Sequence, residues 1–255
     1  MLYKQEGFVI RSVDYGENNK IITILNEHGH KVPLMARGAK KTSHPLQGAT
    51  QPFVHGLFIF SKFKGMGTLS SADIINSHRT MQSDIFKSAY GAYCIEVVDK
   101  ALEAEEHDVF FYELLLGVFQ AVERGVDADT MSMIVALKCM PKYGYEPTFN
   151  ACVITGDMDQ QQLNAYSFKY NGPLSNQALI HDEHAYRISN RALYFMNLMY
   201  QLPIKHLNSF KISEQVKKEI QTLIDNMYDE YVGVVFRNKK KLNKHENLKM
   251  KKKKK

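Results

Sequence analysis

Apolar and polar residues alternate along the first 76 positions of the chain. GFVIRSV, KIITILN, HKVPLMA, PFVHGLFIFSKFK and GTLSSADII each carry the period of two that marks a half-buried strand. The segments between them, DYGENN, EHG, ARGAKKTSHP and KGMG, are rich in turn formers. Asn26-Glu27-His28-Gly29 is a hairpin signal. Five short strands with no helix long enough for a parallel crossover predict a small barrel. An OB-fold has this strand count and size, and an SH3-like barrel is the structural competitor.

From about residue 81 the period becomes 3.6. MQSDIFKSAYGAYCIEVVDKALEAEE sets Ile85, Ala89, Ala92, Tyr93 and Val97 on one helical face. DVFFYELLLGVFQAVERG predicts a second helix, capped by Asp108 and stopped by Gly125, and DADTMSMIVALKCMPKYGYEP a third, ended near Pro141 or Gly144. A polar, irregular insertion follows at about 147–183, with weak strand signals such as YSFKYNG. Helix resumes in SNRALYFMNLMYQLP and SEQVKKEIQTLIDNMYDEYVGVVF, each opening on a serine cap, Ser189 and Ser213. In the last helix Val216, Ile220, Leu223, Ile224 and Met227 form an apolar stripe. The expected architecture is α+β and multidomain: a five-stranded OB-fold barrel over 1–79, a helical domain with an irregular insertion over 80–236, and an unstructured basic tail over 237–255.

Charge divides along the same lines. The net charge of +6 is the total of a basic head (+5 over 1–80), an acidic body (−9 over 81–236) and a basic tail (+10 over 237–255). A basic head suits an anionic polymer; the acidic body as a whole does not. No apolar run approaches the roughly 18 residues of a membrane span, and the opening MLYKQEGFVI is too short and polar for a signal peptide. Three cysteines, Cys94, Cys139 and Cys152, suit free thiols in a reducing cytoplasm.

Candidate chemistry concentrates in the head. Arg11, Lys20, Lys31, Arg37, Lys40, Lys41, Lys62, Lys64 and Arg79 are interleaved with Tyr15, Phe53, Phe58, Phe60 and Phe63. Either the aromatics fill the barrel and the cations only solubilise it, or a cationic groove tracks a polynucleotide backbone while exposed rings stack its bases. Phe58 and Phe60 share one face of their strand, Phe53 and Phe63 the other, so one pair is expected outside. In the segment ARGAKK, Gly38 permits a tight turn, and Arg37, Lys40 and Lys41 supply phosphate partners. In the body, Arg124, Lys138 and Lys142 are the cations that could pair with an acidic terminal peptide. Cys94 and Cys139 sit on apolar helix faces as core residues. Cys152, with His181 and His184 nearby in sequence, falls short of a four-ligand zinc set. Nucleotide-binding, nucleophile-elbow and zinc-protease motifs are absent, and the carboxylate pairs of VDAD and GDMD read as caps and turns, so no catalytic site is expected.

GFVIRSVDYGE, the Glu-x-Gly hairpin, ARGAKK, LQGATQPF and KGMGTL together resemble the amino-terminal domain of the RecO family of bacterial DNA repair proteins. KYGYEP before an irregular insertion fits the same family, and the resemblance covers residues 2–235. It implies an OB-fold head that binds single- and double-stranded DNA and anneals complementary strands. It also implies a non-enzymatic role in the cytoplasm, at the nucleoid. The implied partners are RecR, the acidic C-terminal tail of single-strand DNA-binding protein and, indirectly, RecA. The implied DNA contacts are Arg11, Lys20, Arg37, Lys40, Lys41, Lys62 and Lys64. Zinc-bearing members carry two C-x-x-C pairs in the insertion. Here those positions read Cys152, Thr155, Ser175 and Ala178, which implies an insertion folded without metal and no cofactor. From the residues alone, an RNA-binding OB module and a non-catalytic protein adaptor remain open. Nothing in the barrel reads a 2′-hydroxyl, so competition between matched DNA and RNA strands separates the first of these, and strand annealing the second.

Overall fold

The structure is a computed structural model that describes residues 1–103, 105–239 and 242. Strands β1 (Leu2–Tyr15), β2 (Asn19–Asn26), β3 (Lys31–Ala36), β4 (His55–Ser61) and β5 (Gly67–Asn76) close into a barrel in the order β1-β2-β3-β5-β4. The long β1 makes the closure possible, because its second half pairs with β2 and its first half with β4. A bulge between Val9 and Arg11 bends it there and leaves Phe8, Val9 and Ile10 all buried. Every pairing is antiparallel except a short parallel contact, Leu34 opposite Gly67 and Met35 opposite Thr68, which seals β3 to β5. This strand order, with helix α1 (Leu46–Ala49) between β3 and β4, is OB-like and settles the choice against an SH3-like barrel.

The period of two places the core. Ile22, Ile24, Leu34, Phe58, Phe60 and Leu69 fill the barrel, all at most 4% exposed. Phe63, in the loop that follows β4, is exposed, but Phe53 is buried. It precedes β4 in a left-handed conformation (φ 70°), so strand parity does not govern it, and it meets Phe119 edge-on.

Helices α2 (Arg79–Ser83), α3 (Ile85–Ala101) and α4 (Val109–Glu123) follow. The sequence pattern predicts one helix from residue 81; the structure breaks it at Asp84, whose extended backbone and carboxylate cap α3 through the N–H groups of Phe86 and Lys87. That break leaves Ile85 at the first turn of α3, exposed, while Tyr93 and Val97 are buried as expected. Asp108 caps α4, and Gly125 (φ 90°) ends it. Helices α2–α4 belong to the same compact unit as the barrel, which comprises residues 1–125 and the described residues from 238 onward. In that unit the backbone N–H of Asn238 donates to Glu96 at 2.7 Å and its side chain to the carbonyl of Ala92. The start of the expected tail is therefore anchored, and residues 237–239 are helical. Most of that tail, residues 240, 241 and 243–255, lies outside the described residues.

The second unit spans 126–237. It contains α5 (Ala128–Cys139), a 3-10 turn (Met140–Tyr143), a small sheet of β6 (Leu163–Ser167), β7 (Gly172–Ser175) and β8 (Tyr186–Arg187), then α6 (Asn190–Gln201) and α7 (Glu214–Met227). Asp127, Ser189 and Ser213 cap α5, α6 and α7. The predicted stripe on α7 is buried throughout. Its α-helix gives way to a π-helical turn at Tyr228–Val232, short of the predicted extent. Among the described residues no helix is long and apolar enough to cross a membrane.

Candidate nucleic-acid interface

Strand direction sorts the head's cations into two groups. The end of β1, the start of β2 and the end of β3 meet at one mouth of the barrel; the start of β1, the end of β4 and the start of β5 meet at the other. Lys20, Arg37, Lys40 and Lys41 belong to the first mouth, Lys62 and Lys64 to the second. On the outward face of β2 and β3, Ile21, Thr23, Pro33 and Met35 are half-buried, and Met35 near the end of β3 pairs with Thr68 at the start of β5.

The first mouth is built by hydrogen bonds between two loops. Gly38, at φ 72°, turns the chain after β3, and its N–H donates to the Asn19 side chain at 3.0 Å. The Lys41 N–H closes the turn on the Gly38 carbonyl, and the Lys40 N–H donates to the Asn18 carbonyl. The Lys40 ammonium donates to the Gly16 carbonyl at 3.1 Å. This segment is therefore fastened to the β1–β2 loop at three points rather than free in solvent.

Asp14 organises the same mouth. Its carboxylate lies 3.1 Å from the Lys20 ammonium and 3.3 Å from that of Lys40. Hydrogen bonds from Lys20, then from Lys40, hold its carboxyl below the usual range. Arg37, Lys41 and Lys64 make no ion pair among the described residues and are exposed. Their charges face water without local compensation. Arg11 stands apart from both groups: its guanidinium lies 2.5 Å from Asp99, which also draws in Lys31 at 3.4 Å. The Lys31 ammonium reaches the Leu102 carbonyl at 2.6 Å as well, so Asp99 joins β1 and β3 to the end of α3. Asp14 and Asp99 were not singled out in the sequence. Asp14 opens the DYGENN turn directly before the cationic mouth, which is the signal that could have found it; Asp99 offers none.

Beneath the barrel, polar groups join it to the helices. The Tyr112 hydroxyl donates to Glu6 at 2.6 Å, and His55 lies 2.8 Å from the same oxygen. The Tyr112 hydrogen bond, followed by that of His55, keeps Glu6 low despite desolvation. His78 is fully buried between Phe8 and Phe119, and burial drives its pKa down to about 4 against the opposing pull of Glu123.

The three cations suggested for an acidic peptide have different settings. Arg124 ends α4 in the first unit, while Lys138 and Lys142 lie in the second. The Lys138 ammonium is spent on the Tyr200 carbonyl at 2.8 Å, and burial lowers its pKa.

In the insertion, the fold brings the two half-motifs together. The Ser175 N–H donates to Cys152 Sγ at 3.3 Å, and Val153 N–H to the Pro173 carbonyl. Burial pushes the Cys152 thiol up, but hydrogen bonds from Thr155 and Ser175 outweigh it and bring it to about 7. One thiol, two hydroxyls and the buried Ala178 do not make a zinc donor set. Among the described residues, no group of three or more His, Cys, Asp or Glu could hold a metal ion.

Two family profiles cover the chain, and their boundary lies at the end of the barrel rather than at the division between the two units. Residues 1–78 match "Recombination protein O N terminal" and residues 82–241 match "Recombination protein O C terminal". The chain belongs to the RecO family. Among its relatives, the DNA repair protein RecO of Staphylococcus epidermidis is 48% identical over 243 residues, covering 95% of this chain and 96% of that one. The RecO protein of Staphylococcus haemolyticus is 47% identical, covering 95% and 97%. That of Staphylococcus aureus is 43% identical over 248 residues, covering 97% and 99%. The family is one of DNA repair proteins, and the barrel that bears the two cation groups is its amino-terminal domain.

Proposed function

We propose that the chain acts in DNA repair and recombination by binding single- and double-stranded DNA on its barrel and annealing complementary strands. In this reading it helps RecR load RecA onto strands coated by single-strand DNA-binding protein, whose acidic tail it engages, and it makes or breaks no covalent bond. The observation that carries the reading is the mouth of the barrel. Arg37 and Lys41 are exposed there, without an ion pair among the described residues, on a turn held in place by Asn18, Asn19 and Gly16. Cations fixed in position lose less freedom on meeting phosphates than mobile ones, and contacts of this kind supply most of the sequence-independent affinity for DNA. Lys20, Lys62, Lys64 and Arg11 extend the surface; Arg11 contributes less because Asp99 neutralises it.

The test is strand annealing by the full chain and by an Arg37→Ala, Lys40→Ala, Lys41→Ala variant, with circular dichroism confirming the fold. The wild type should accelerate annealing of complementary oligonucleotides, and the variant should lose most of that acceleration. No acceleration by the wild type, or equal acceleration by a folded variant, contradicts the proposal.

A further inference from the structure

We infer that Phe63 is a stacking finger that holds an unpaired base. This rests on the DNA-binding reading above and gives the barrel its means of favouring single strands over duplex.

Phe63 is 92% exposed, the highest value among the described large hydrophobic residues. It lies between Lys62 and Lys64 in the loop from β4 to β5. The root of this loop is anchored. The Lys62 N–H donates to the Met1 carbonyl at 3.1 Å, and Ser61 pairs with Leu2 on one side and Thr68 on the other. Beyond the root the loop is open: Gly65 turns at φ 62°, and a Cβ there would meet nothing within 4 Å. The loop re-enters the barrel at Gly67, opposite Leu34, so its end lies at the edge of β3.

Chemistry selects the occupant. An apolar pocket on a protein partner would have to desolvate the ammonium groups on either side of the ring. A single-stranded nucleic acid offers a π-face for the ring and phosphates for both lysines, and stacking of this kind tolerates any base. A duplex keeps its bases stacked on one another and gains only the phosphate contacts.

The experiment compares binding of labelled oligo(dT) and of a duplex of equal length to the full chain, to Phe63→Ala and to Phe63→Trp. The natural chain has no tryptophan, so the indole that Phe63→Trp introduces is the sole reporter of its kind. Phe63→Ala should weaken oligo(dT) binding by about tenfold or more, as loss of one base stack predicts. Duplex binding and the salt dependence should stay as in the wild type. Phe63→Trp should restore affinity, and its emission should be quenched by oligo(dT) but not by duplex. If Phe63→Ala binds oligo(dT) as the wild type does, or loses both ligands equally, the finger is overturned while the cationic surface stands. If the wild type binds neither ligand, the DNA reading fails and the finger with it.

Discussion

Asp14 holds two ammonium groups at the mouth of the barrel, and His78 sits without charge under it; each shows how one side chain's setting decides its role. Asp14 fixes Lys20 and Lys40 but also competes with any phosphate for them. Arg37 and Lys41 are therefore the side chains from which a loss of affinity on truncation should be largest. His78 makes a prediction about stability. Its folded pKa of about 4 lies below the ordinary histidine value, so below pH about 6.5 the unfolded chain takes up a proton that the folded chain refuses. Stability should be level above that pH and fall as the pH drops toward 4, by about 2 kcal/mol from this group between pH 7 and pH 5. His55, also lowered by burial, adds to the same trend, against Glu6. Urea unfolding at both pH values checks it. His78→Asn, which keeps a residue tolerant of the left-handed backbone found there (φ 47°), should lose a good part of the pH dependence. An unchanged dependence would show that His78 is charged in the fold.

At the scale of elements, the β2–β3 hairpin has a stricter requirement than its turn alone. Gly29 adopts φ 80°, and a Cβ on it would run into the backbone of Asp108 at the start of α4. Gly65 has the same sign of φ but open space around it. Gly65→Ala should cost about 1–2 kcal/mol from the left-handed backbone. Gly29→Ala should cost more, since the hairpin or the helix must also move, and urea denaturation of the two variants compares them directly. Equal costs would mean that the hairpin yields freely. The turn itself was readable from Asn-Glu-His-Gly, but its packing against Asp108 was not, because nothing in a local pattern reports a contact with a distant part of the chain. The same limit explains the other differences. Strands of period two and the stripe on α7 were legible because burial repeats along them. The break at Asp84 was hidden because apolar residues on both sides keep a helical rhythm. Phe53 was placed by parity although it precedes the strand. For the site, the sequence supplied the cations and the turn at Gly38. It could not supply Asp14 and Asp99 as partners, nor the separation of the cations into two groups, since both follow from barrel closure.

For the whole molecule, charge follows the elements rather than the units, since the acidic stretch of α3 and α4 lies in the same unit as the basic barrel. The positive surface belongs to the barrel, and the Lys31–Asp99 and Arg11–Asp99 pairs tie part of it to α3 rather than to solvent. The account depends on side chains at the barrel mouths contacting phosphates, and the salt dependence of single-strand binding measures that number. Each phosphate contact on a single strand contributes about −0.7 to the slope of log affinity against log salt. Four to six contacts from Lys20, Arg37, Lys40, Lys41, Lys62 and Lys64 predict about −3 to −4 for the wild type, and a slope shallower by about 2 for the Arg37→Ala, Lys40→Ala, Lys41→Ala variant. A wild-type slope near zero, or one that the variant leaves unchanged, would contradict it.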